Sequence, residues 1–138
     1  LIKKIHKILG TNLKNKKISF LGVTFKPNTD DMRDSTSLKM IPYLCGKGAK
    51  VNYYDPSGEK MEFKKFKNCF FKHNIKTNCY GADLIILLTE WDEFKTIDFK
   101  RLLKNKNFKI YDLRNLYSPK EMLKNKIKYY SIGRPFSN

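Results

Sequence analysis

The fold of this chain is decided by residues 18–37, which read Ile18-Ser-Phe-Leu-Gly-Val-Thr-Phe-Lys-Pro-Asn-Thr-Asp-Asp-Met-Arg-Asp-Ser-Thr-Ser37. An apolar, β-rich run opens the stretch, a polar loop follows Gly22, and the Ser and Thr residues at its end are typical helix caps. In an open parallel sheet, the passage from a strand end to a helix start is where ligands bind. Lys26 and Arg33 add two cations to the loop, so the stretch suits an anionic ligand such as a phosphate.

Three acids accompany these cations in the loop, namely Asp30, Asp31 and Asp34. We expect them to hold the loop by hydrogen bonds and by pairing with Lys26 or Arg33. The same charges could equally pair on a solvated surface that binds nothing, and the residues alone leave both interpretations open. The Gly-x-Gly-x-x-Gly fingerprint of dinucleotide sites is missing, because Val, Thr and Phe follow Gly22.

Length and composition describe a folded globular domain. The chain has 138 residues, of which 41% are hydrophobic and 14% aromatic, and this favours one domain with its own core. The longest apolar run, at 84–88, is far shorter than the roughly 18 residues of a membrane span. The first residues lack the continuous apolar segment of a signal peptide. We therefore expect a cytoplasmic protein without a membrane partner.

The net charge of +16 raises the question of a nucleic-acid partner. Lys supplies 25 of the 29 basic residues and is spread through nearly every segment. Specific readers of bases and phosphates favour Arg for its forked geometry. The composition therefore disfavours nucleic acid, and a basic nucleic-acid-binding module is kept as the alternative from a different class.

The cysteines and histidines show no spacing typical of a metal or catalytic site. Cys45, Cys69 and Cys79 form no CxxC pair, and His6 and His73 stand far apart in the chain. We expect reduced thiols and no metal.

Alternating strand and helix patterns predict an α/β fold, a Rossmann-like three-layer sandwich with a mostly parallel central sheet. The predicted strands are 18–23, 50–55, 84–89, 108–112 and 127–132, with a short additional strand near 75–79. Helices are expected to end at Leu9, to begin at Ser35 or Ser37, to cover 99–105 after Asp98, and to begin at Pro119 after Ser118. Residues 59–68 have helical spacing of Met61, Phe63 and Phe66.

Two further groups of residues follow predicted strands. Glu90, Trp91 and Asp92 follow the strand at 84–89, where a carboxylate pair could do acid–base work; we favour capping of the next turn by the acids and packing of Trp91. Arg114 follows the strand at 108–112 and adds a third cation to the edge that carries Lys26 and Arg33. This convergence is the main evidence from the residues for an anion site.

The loop Phe25-Lys-Pro-Asn-Thr-Asp-Asp-Met-Arg-Asp-Ser35 resembles the FKPxTDDxRxS loop of the nucleotide-sugar dehydrogenases typified by UDP-glucose 6-dehydrogenase. Later landmarks resemble that family in the same order: Gly48-Ala-Lys-Val51, Tyr54-Asp-Pro56, Gly81-Ala-Asp83, Thr89-Glu-Trp91 and Asp112-Leu-Arg-Asn115. The resemblance covers the family's carboxyl-terminal, nucleotide-sugar-binding domain. It divides the chain into the end of an interdomain connecting helix at 1–12 and a UDP-sugar-binding domain at 13–138.

The resemblance implies a role for four residues. Phe25 and Lys26 would contact the UDP-sugar, Arg114 its diphosphate or sugar, and Arg33 would reach toward NAD across a domain interface. The catalytic cysteine and lysine of the family belong to another domain, so no catalytic residue is expected here and the three cysteines are taken as structural.

The resemblance further implies an NAD-dependent enzyme that oxidises UDP-glucose to UDP-glucuronate, working with the remaining domains of the same protein as a homodimer. A UDP-N-acetylmannosamine or GDP-mannose dehydrogenase is the nearer alternative.

Overall fold

The computed structural model describes residues 1–103 and 107–133. Six parallel strands form one sheet in the order β3-β2-β1-β4-β5-β6. The strands are β1 (Lys17–Leu21), β2 (Lys50–Tyr54), β3 (Cys69–Phe71), β4 (Leu84–Leu87), β5 (Lys109–Asp112) and β6 (Lys128–Ser131). The helices are α1 (Ile2–Leu9), α2 (Ser37–Gly46), α3 (Ile75–Cys79), α4 (Phe99–Leu102) and α5 (Pro119–Lys124). The predicted Rossmann-like architecture is confirmed, and every neighbouring pair in this sheet is parallel.

The sheet is covered on both faces because its strands alternate apolar side chains between two cores. Ile18 and Phe20 of β1 pack in one cluster with α1 and α2, whereas Leu21 packs in the other with α4 and α5. All four side chains of β4 are buried, as a central parallel strand requires. Helices that bury apolar side chains on both faces of the sheet therefore make the three layers.

The strand register brings the carboxyl ends of the strands to one level at the same end of the sheet. Leu21 of β1 lies beside Tyr54 of β2 and Leu87 of β4, and Leu87 lies beside Asp112 of β5. The loops that leave these residues start at one level, so side chains distant in sequence meet there.

The segment between β2 and β4 differs from the sequence-based prediction. The helix predicted at 59–68 is wrong: only Met61–Phe63 forms a single 3-10 turn. Phe63 is buried and packs against Tyr53 of β2, with ring centroids 5.3 Å apart. The chain then forms the edge strand β3, which the sequence analysis missed.

The strand predicted near 75–79 is also wrong, because these residues form α3. The side chain of Asn74 accepts a hydrogen bond from the Thr77 amide at 2.8 Å and starts the helix. Asn78 is buried on this helix and donates to the carbonyl of Phe20 at 2.8 Å. Capping and a tertiary hydrogen bond thus decide the structure of a segment whose own pattern is ambiguous.

The remaining boundaries shift by one to three residues. β1 ends at Leu21 rather than at residue 23, because Gly22 turns the backbone with φ +82°, and β4 ends at Leu87. In α4 the helix ends at Leu102, since Leu103 has an extended backbone; residues 104 and 105 of the predicted helix lie outside the described residues, as do residues 134–138 of the predicted sugar-binding domain.

Candidate anion site at the sheet edge

Gly22 brings the loop after β1 into contact with Thr89, the second residue after β4. A Cβ atom at Gly22 would lie 2.6 Å from the Cβ of Thr89, so any larger residue would push the two segments apart. The Thr89 hydroxyl donates to the carbonyl of Thr24 at 2.8 Å. The loop is thereby tied to the centre of the sheet one turn after it leaves β1.

The side chain of Thr24 extends this connection toward the predicted site. Its hydroxyl donates to the carbonyl of Lys26 at 3.0 Å and accepts from the Trp91 indole at 3.4 Å. Trp91 is half-buried and packs against the second core. The expectation that Trp91 packs is confirmed, and the indole also braces the residue that shapes the loop.

Two serines hold the other end of the loop. The hydroxyls of Ser35 and Ser37 each donate to the carbonyl of Val23 at 2.6 Å. The cap predicted for Ser35 or Ser37 differs in detail: Thr36 is the N-cap residue of α2 and makes no side-chain cap bond. The hydroxyls instead anchor the start of α2 to the loop.

Phe25 and Lys26 stand out from this anchored base. Both side chains are exposed, and 47% of the Phe25 surface is accessible. The Phe25 amide donates to the carbonyl of Asp31 at 3.3 Å, so the loop returns on itself directly behind them. Two consecutive residues with exposed side chains, one aromatic and one cationic, thus lie where the loop leaves the carboxyl end of the sheet.

Arg114 reaches the same place from the end of β5. Its Nε donates to the carbonyl of Leu88 at 2.8 Å, and its Nη2 donates to the carbonyl of Phe25 at 3.4 Å. The Arg114 amide donates to the buried carboxylate of Asp112 at 3.0 Å. The guanidinium therefore bridges the loops after β1 and β4, which sets its position while its side chain remains accessible.

Asp112 fixes the turn that carries Arg114. The Tyr129 hydroxyl and the Tyr117 amide donate to its Oδ2 at 2.5 Å and 3.1 Å. Sequence reasoning gave this acid no separate role. Its position as the last residue of a buried strand was the available signal, since a buried carboxylate must be hydrogen-bonded.

Arg33 is paired with Asp31 rather than with another residue of the site. Its Nε and Nη2 donate to the two carboxylate oxygens at 3.0 Å and 2.9 Å. The hydrogen bonds from the Arg33 side chain and backbone, together with its charge and that of Lys26, lower the pKa of Asp31 to about 2. The guanidinium is 88% exposed and is oriented by this fork.

The three loop acids do not share the role predicted for them. The expected pairing is confirmed for Asp31. It is wrong for Asp30 and Asp34, whose carboxylates have no hydrogen-bond or ion-pair partner among the described residues. Asp34 instead adopts φ +62°, a left-handed conformation that Asp tolerates better than most residues.

A cleft of about 530 Å³ lies beside the loop. Four carboxylates and two cations line it, namely Asp30, Asp31, Glu59, Glu62, Arg33 and Lys60. Acids outnumber bases there, so a phosphate is better placed on the side of Lys26 and Arg114, neither of which lines the cleft. The structure thus brings the Arg114 guanidinium to the backbone of Phe25, next to Lys26, and places Arg33 on the wall of the cleft.

Within the described ranges 1–103 and 107–133, no group of three or more His, Cys, Asp or Glu residues could hold a metal ion. In the same ranges, no helix has the length and apolar character needed to cross a membrane. Cys45, Cys69 and Cys79 are free thiols, and burial raises the pKa of Cys79 to about 12.

Comparisons with known proteins identify the family to which this domain belongs. Residues 19–119 match the UDP binding domain of the UDP-glucose/GDP-mannose dehydrogenase family. Over 134 residues the chain is 39% identical to the UDP-glucose 6-dehydrogenase of Rhizobium meliloti (strain 1021), covering 96% of this chain and 31% of that protein. It is 36% identical to the UDP-glucose 6-dehydrogenase TuaD of Bacillus subtilis (strain 168), covering 98% of this chain and 30% of that protein.

Solved structures agree in fold. The NDP-N-acetyl-D-galactosaminuronic acid dehydrogenase of Methanosarcina mazei Go1 superposes with a TM-score of 0.75 at 23% identity, over 96% of this chain and 28% of its own. The chain spans about a third of the length of the curated relatives named above. Its sequence match, its strand order and its anchored FKP loop together place it in the UDP-glucose/GDP-mannose dehydrogenase family, as that family's UDP binding domain.

Proposed function

We propose that this chain grips the nucleotide sugar in an NAD-dependent UDP-glucose 6-dehydrogenase, which oxidises UDP-glucose to UDP-glucuronate. The proposal rests mainly on Phe25 and Lys26, which are exposed on a loop whose backbone is held by hydrogen bonds. The Arg114 guanidinium lies beside them and donates to the Phe25 carbonyl. Preorganisation lowers the ordering cost of binding, and here it applies to the loop backbone and to the Arg114 guanidinium.

In this proposal each residue contacts a different part of the ligand. Lys26 and Arg114 donate to the diphosphate or sugar, and Phe25 packs an apolar face against the ligand. UDP-glucose is preferred over UDP-N-acetylmannosamine and GDP-mannose because the relatives at 32–39% identity are UDP-glucose 6-dehydrogenases.

Arg33 is proposed to meet NAD from a neighbouring domain. Its exposed guanidinium, held by Asp31 at the rim of the cleft, is the feature of the chain that fits this role. The loop after β1 lacks the glycines that let a pyrophosphate approach the backbone, so this domain contributes one contact and other domains hold most of the cofactor. NAD would supply the hydride acceptor for the oxidation, while the residues here orient and enclose the sugar nucleotide.

The arrangement of the full-length protein is part of the same proposal. Residues 1–12 are assigned to the end of a connecting helix and 13–138 to the sugar-binding domain. In support, α1 is docked on the domain by the buried side chains of Ile5 and Ile8 and by a bond of 2.8 Å between His6 and Tyr43. We propose a cytoplasmic homodimer, which size measurements on the full-length protein test directly.

Titration of the 138-residue chain with UDP and with UDP-glucose tests the proposal. Trp91 is its single tryptophan and braces Thr24, two residues before Lys26, so its emission should change in a saturable way. Uridine, which has no phosphates, is the matched control and should bind far more weakly. Saturation by duplex DNA with a steep salt dependence, and no response to UDP, would instead support the nucleic-acid alternative.

A further inference from the structure

Asp55 is a buried acid at the end of β2 that no proposed contact with the ligand uses. It is 1% exposed, and no cation lies within ion-pair distance of it among the described residues. Its charge is satisfied by hydrogen-bond donors alone. The amides of Val23 and Thr24 donate to Oδ2 at 2.8 Å and 3.3 Å, and the Ser57 amide and hydroxyl donate to Oδ1 at 2.9 Å and 2.5 Å.

A buried cation is connected to this acid through the same serine. Lys60 is 5% exposed, and its ammonium donates to the Ser57 hydroxyl at 2.6 Å. A buried charge is costly unless it is hydrogen-bonded or compensated. The serine therefore lets the two opposite charges stabilise each other while Oδ2 remains committed to the loop.

The two amides that donate to Asp55 belong to Val23 and Thr24, the residues directly before Phe25 and Lys26. The carbonyl of Val23 is held by Ser35 and Ser37, and the carbonyl of Thr24 by Thr89. With the bonds to Asp55, all four backbone polar groups of Val23 and Thr24 are engaged. The direction in which the loop leaves the sheet is thereby set before the first exposed side chain.

The position of Asp55 has a second consequence. In dinucleotide-binding domains of this strand order, an acid about 20 residues after the glycine-rich turn binds a ribose hydroxyl. Asp55 lies at the end of the second strand, but its oxygens face the chain's own amides and are closed to solvent. In this chain the acid at the end of the second strand therefore makes internal hydrogen bonds.

We propose that Asp55 is a positioning residue for nucleotide-sugar binding, which orients Phe25 and Lys26 by holding the amides of Val23 and Thr24. The inference rests on the proposed UDP binding of this site. It assigns Asp55 no contact with the ligand.

The bond itself can be observed in the unaltered chain. Scalar coupling across the hydrogen bond between the Val23 amide nitrogen and the Asp55 carboxyl carbon, measured by NMR, should be detectable. Absence of that coupling in the folded chain overturns the assignment, whatever the variants show.

The functional consequence is measured with Asp55→Asn, in which one of the two accepting oxygens is replaced by an NH2 group. UDP should bind about tenfold more weakly, as expected when one charge-assisted bond is lost or misdirected, and the amides of Val23 and Thr24 should exchange faster. Ser19→Ala is the control for stability, because its buried hydroxyl bonds to the carbonyl of Asn78 and touches no part of the loop. Its affinity should stay within about twofold of the unaltered chain.

Each outcome is decisive for one of the two proposals. If the unaltered chain does not bind UDP, the proposed function fails, while the NMR coupling still tests the role of Asp55 in the loop. If Asp55→Asn binds UDP as tightly as Ser19→Ala, the positioning role is overturned. Should Asp55→Asn not fold, Asp55→Glu keeps a carboxylate for Ser57 and Lys60 but displaces it, and it should still weaken UDP binding.

Discussion

At the residue scale, Lys26 is an exposed cation on a backbone that its neighbours hold in place. Its carbonyl accepts from Thr24, and Phe25 before it is tied to Asp31 and Arg114. A charge-assisted hydrogen bond from such a group contributes roughly 1.5–3 kcal/mol. We expect Lys26→Ala in the full-length enzyme to weaken UDP-glucose binding by about ten- to a hundredfold, while NAD affinity changes far less.

The matched control for this charge removal is Lys50→Ala. Lys50 is exposed and begins β2, at the opposite edge of the sheet. Equilibrium titration with UDP-glucose should separate the two variants. An unchanged dissociation constant for Lys26→Ala would rule out its role as a substrate contact.

The ion pair of Arg33 and Asp31 predicts that the geometry of the loop depends on pH only in the acidic range. The pKa of Asp31 is lowered to about 2 in the folded chain, below the value of about 3.9 for an unperturbed Asp. A carboxyl with a lowered pKa stabilises the loop above its unfolded pKa, and this contribution is lost as the pH falls through the folded value. The loop geometry should therefore be constant through neutral pH and loosen only between about pH 4 and 2.

An NMR titration of the Asp31 carboxyl carbon measures this effect. The midpoint should lie near 2 in the unaltered chain and should rise toward about 3.9 in Arg33→Ala. A midpoint that does not move in the variant would show that Arg33 is not the cause.

At the scale of elements, the cap of α3 decides whether residues 75–79 form a helix. Asn74 accepts from the Thr77 amide at 2.8 Å, whereas Ser118 accepts from the Glu121 amide at 3.4 Å at the start of α5. Loss of a good cap costs about 1 kcal/mol, in a range of roughly 0.5–2. Asn74→Ala should therefore lower the free energy of unfolding more than Ser118→Ala does.

Urea denaturation of both variants and of the unaltered chain checks this order. The transitions should differ in midpoint and share one slope, as for changes in stability alone. Equal losses would mean that the Asn74 cap is no stronger than that of Ser118.

At the scale of the whole molecule, this chain should bind the nucleotide sugar without oxidising it. Cys79 is buried with its pKa raised to about 12, and Cys45 is buried as well. Neither thiol can act as a nucleophile on an exposed sugar, because the thiolate is the reactive form and needs access. Cys69 is only partly buried, and its hydrogen bond with Cys45 together with burial raises its pKa above the ordinary value.

A spectrophotometric assay with the purified 138-residue chain, UDP-glucose and NAD should detect no NADH. A full-length enzyme of the family, assayed in parallel, is the positive control. NADH formation by the chain alone would contradict the assignment of the chemistry to other domains.

The amino-acid sequence by itself determined the class of fold and where a candidate site was to be sought. Five of the six strands are visible as short segments rich in apolar and aromatic residues, and the loop that begins with Phe25-Lys-Pro27 at the carboxyl end of β1 marks the candidate ligand side. These features are local, since periodicity, glycine turns and capping residues act between neighbours in the chain. Lys26, Arg33 and Arg114 could therefore be placed at one end of the sheet before any contact was known, whereas the role of Phe25 came from the family resemblance.

Only the tertiary structure decided how that edge is held. Asp55 bonds to amides 31 and 32 residues away, and the Arg114 guanidinium reaches a carbonyl 89 residues away. The edge strand β3 and the helix α3 likewise depend on Tyr53 packing against Phe63 and on Asn78 bonding to Phe20. Such partners are selected by burial, because a polar group removed from water must find whichever donor or acceptor the fold brings near it. No local pattern encodes that choice.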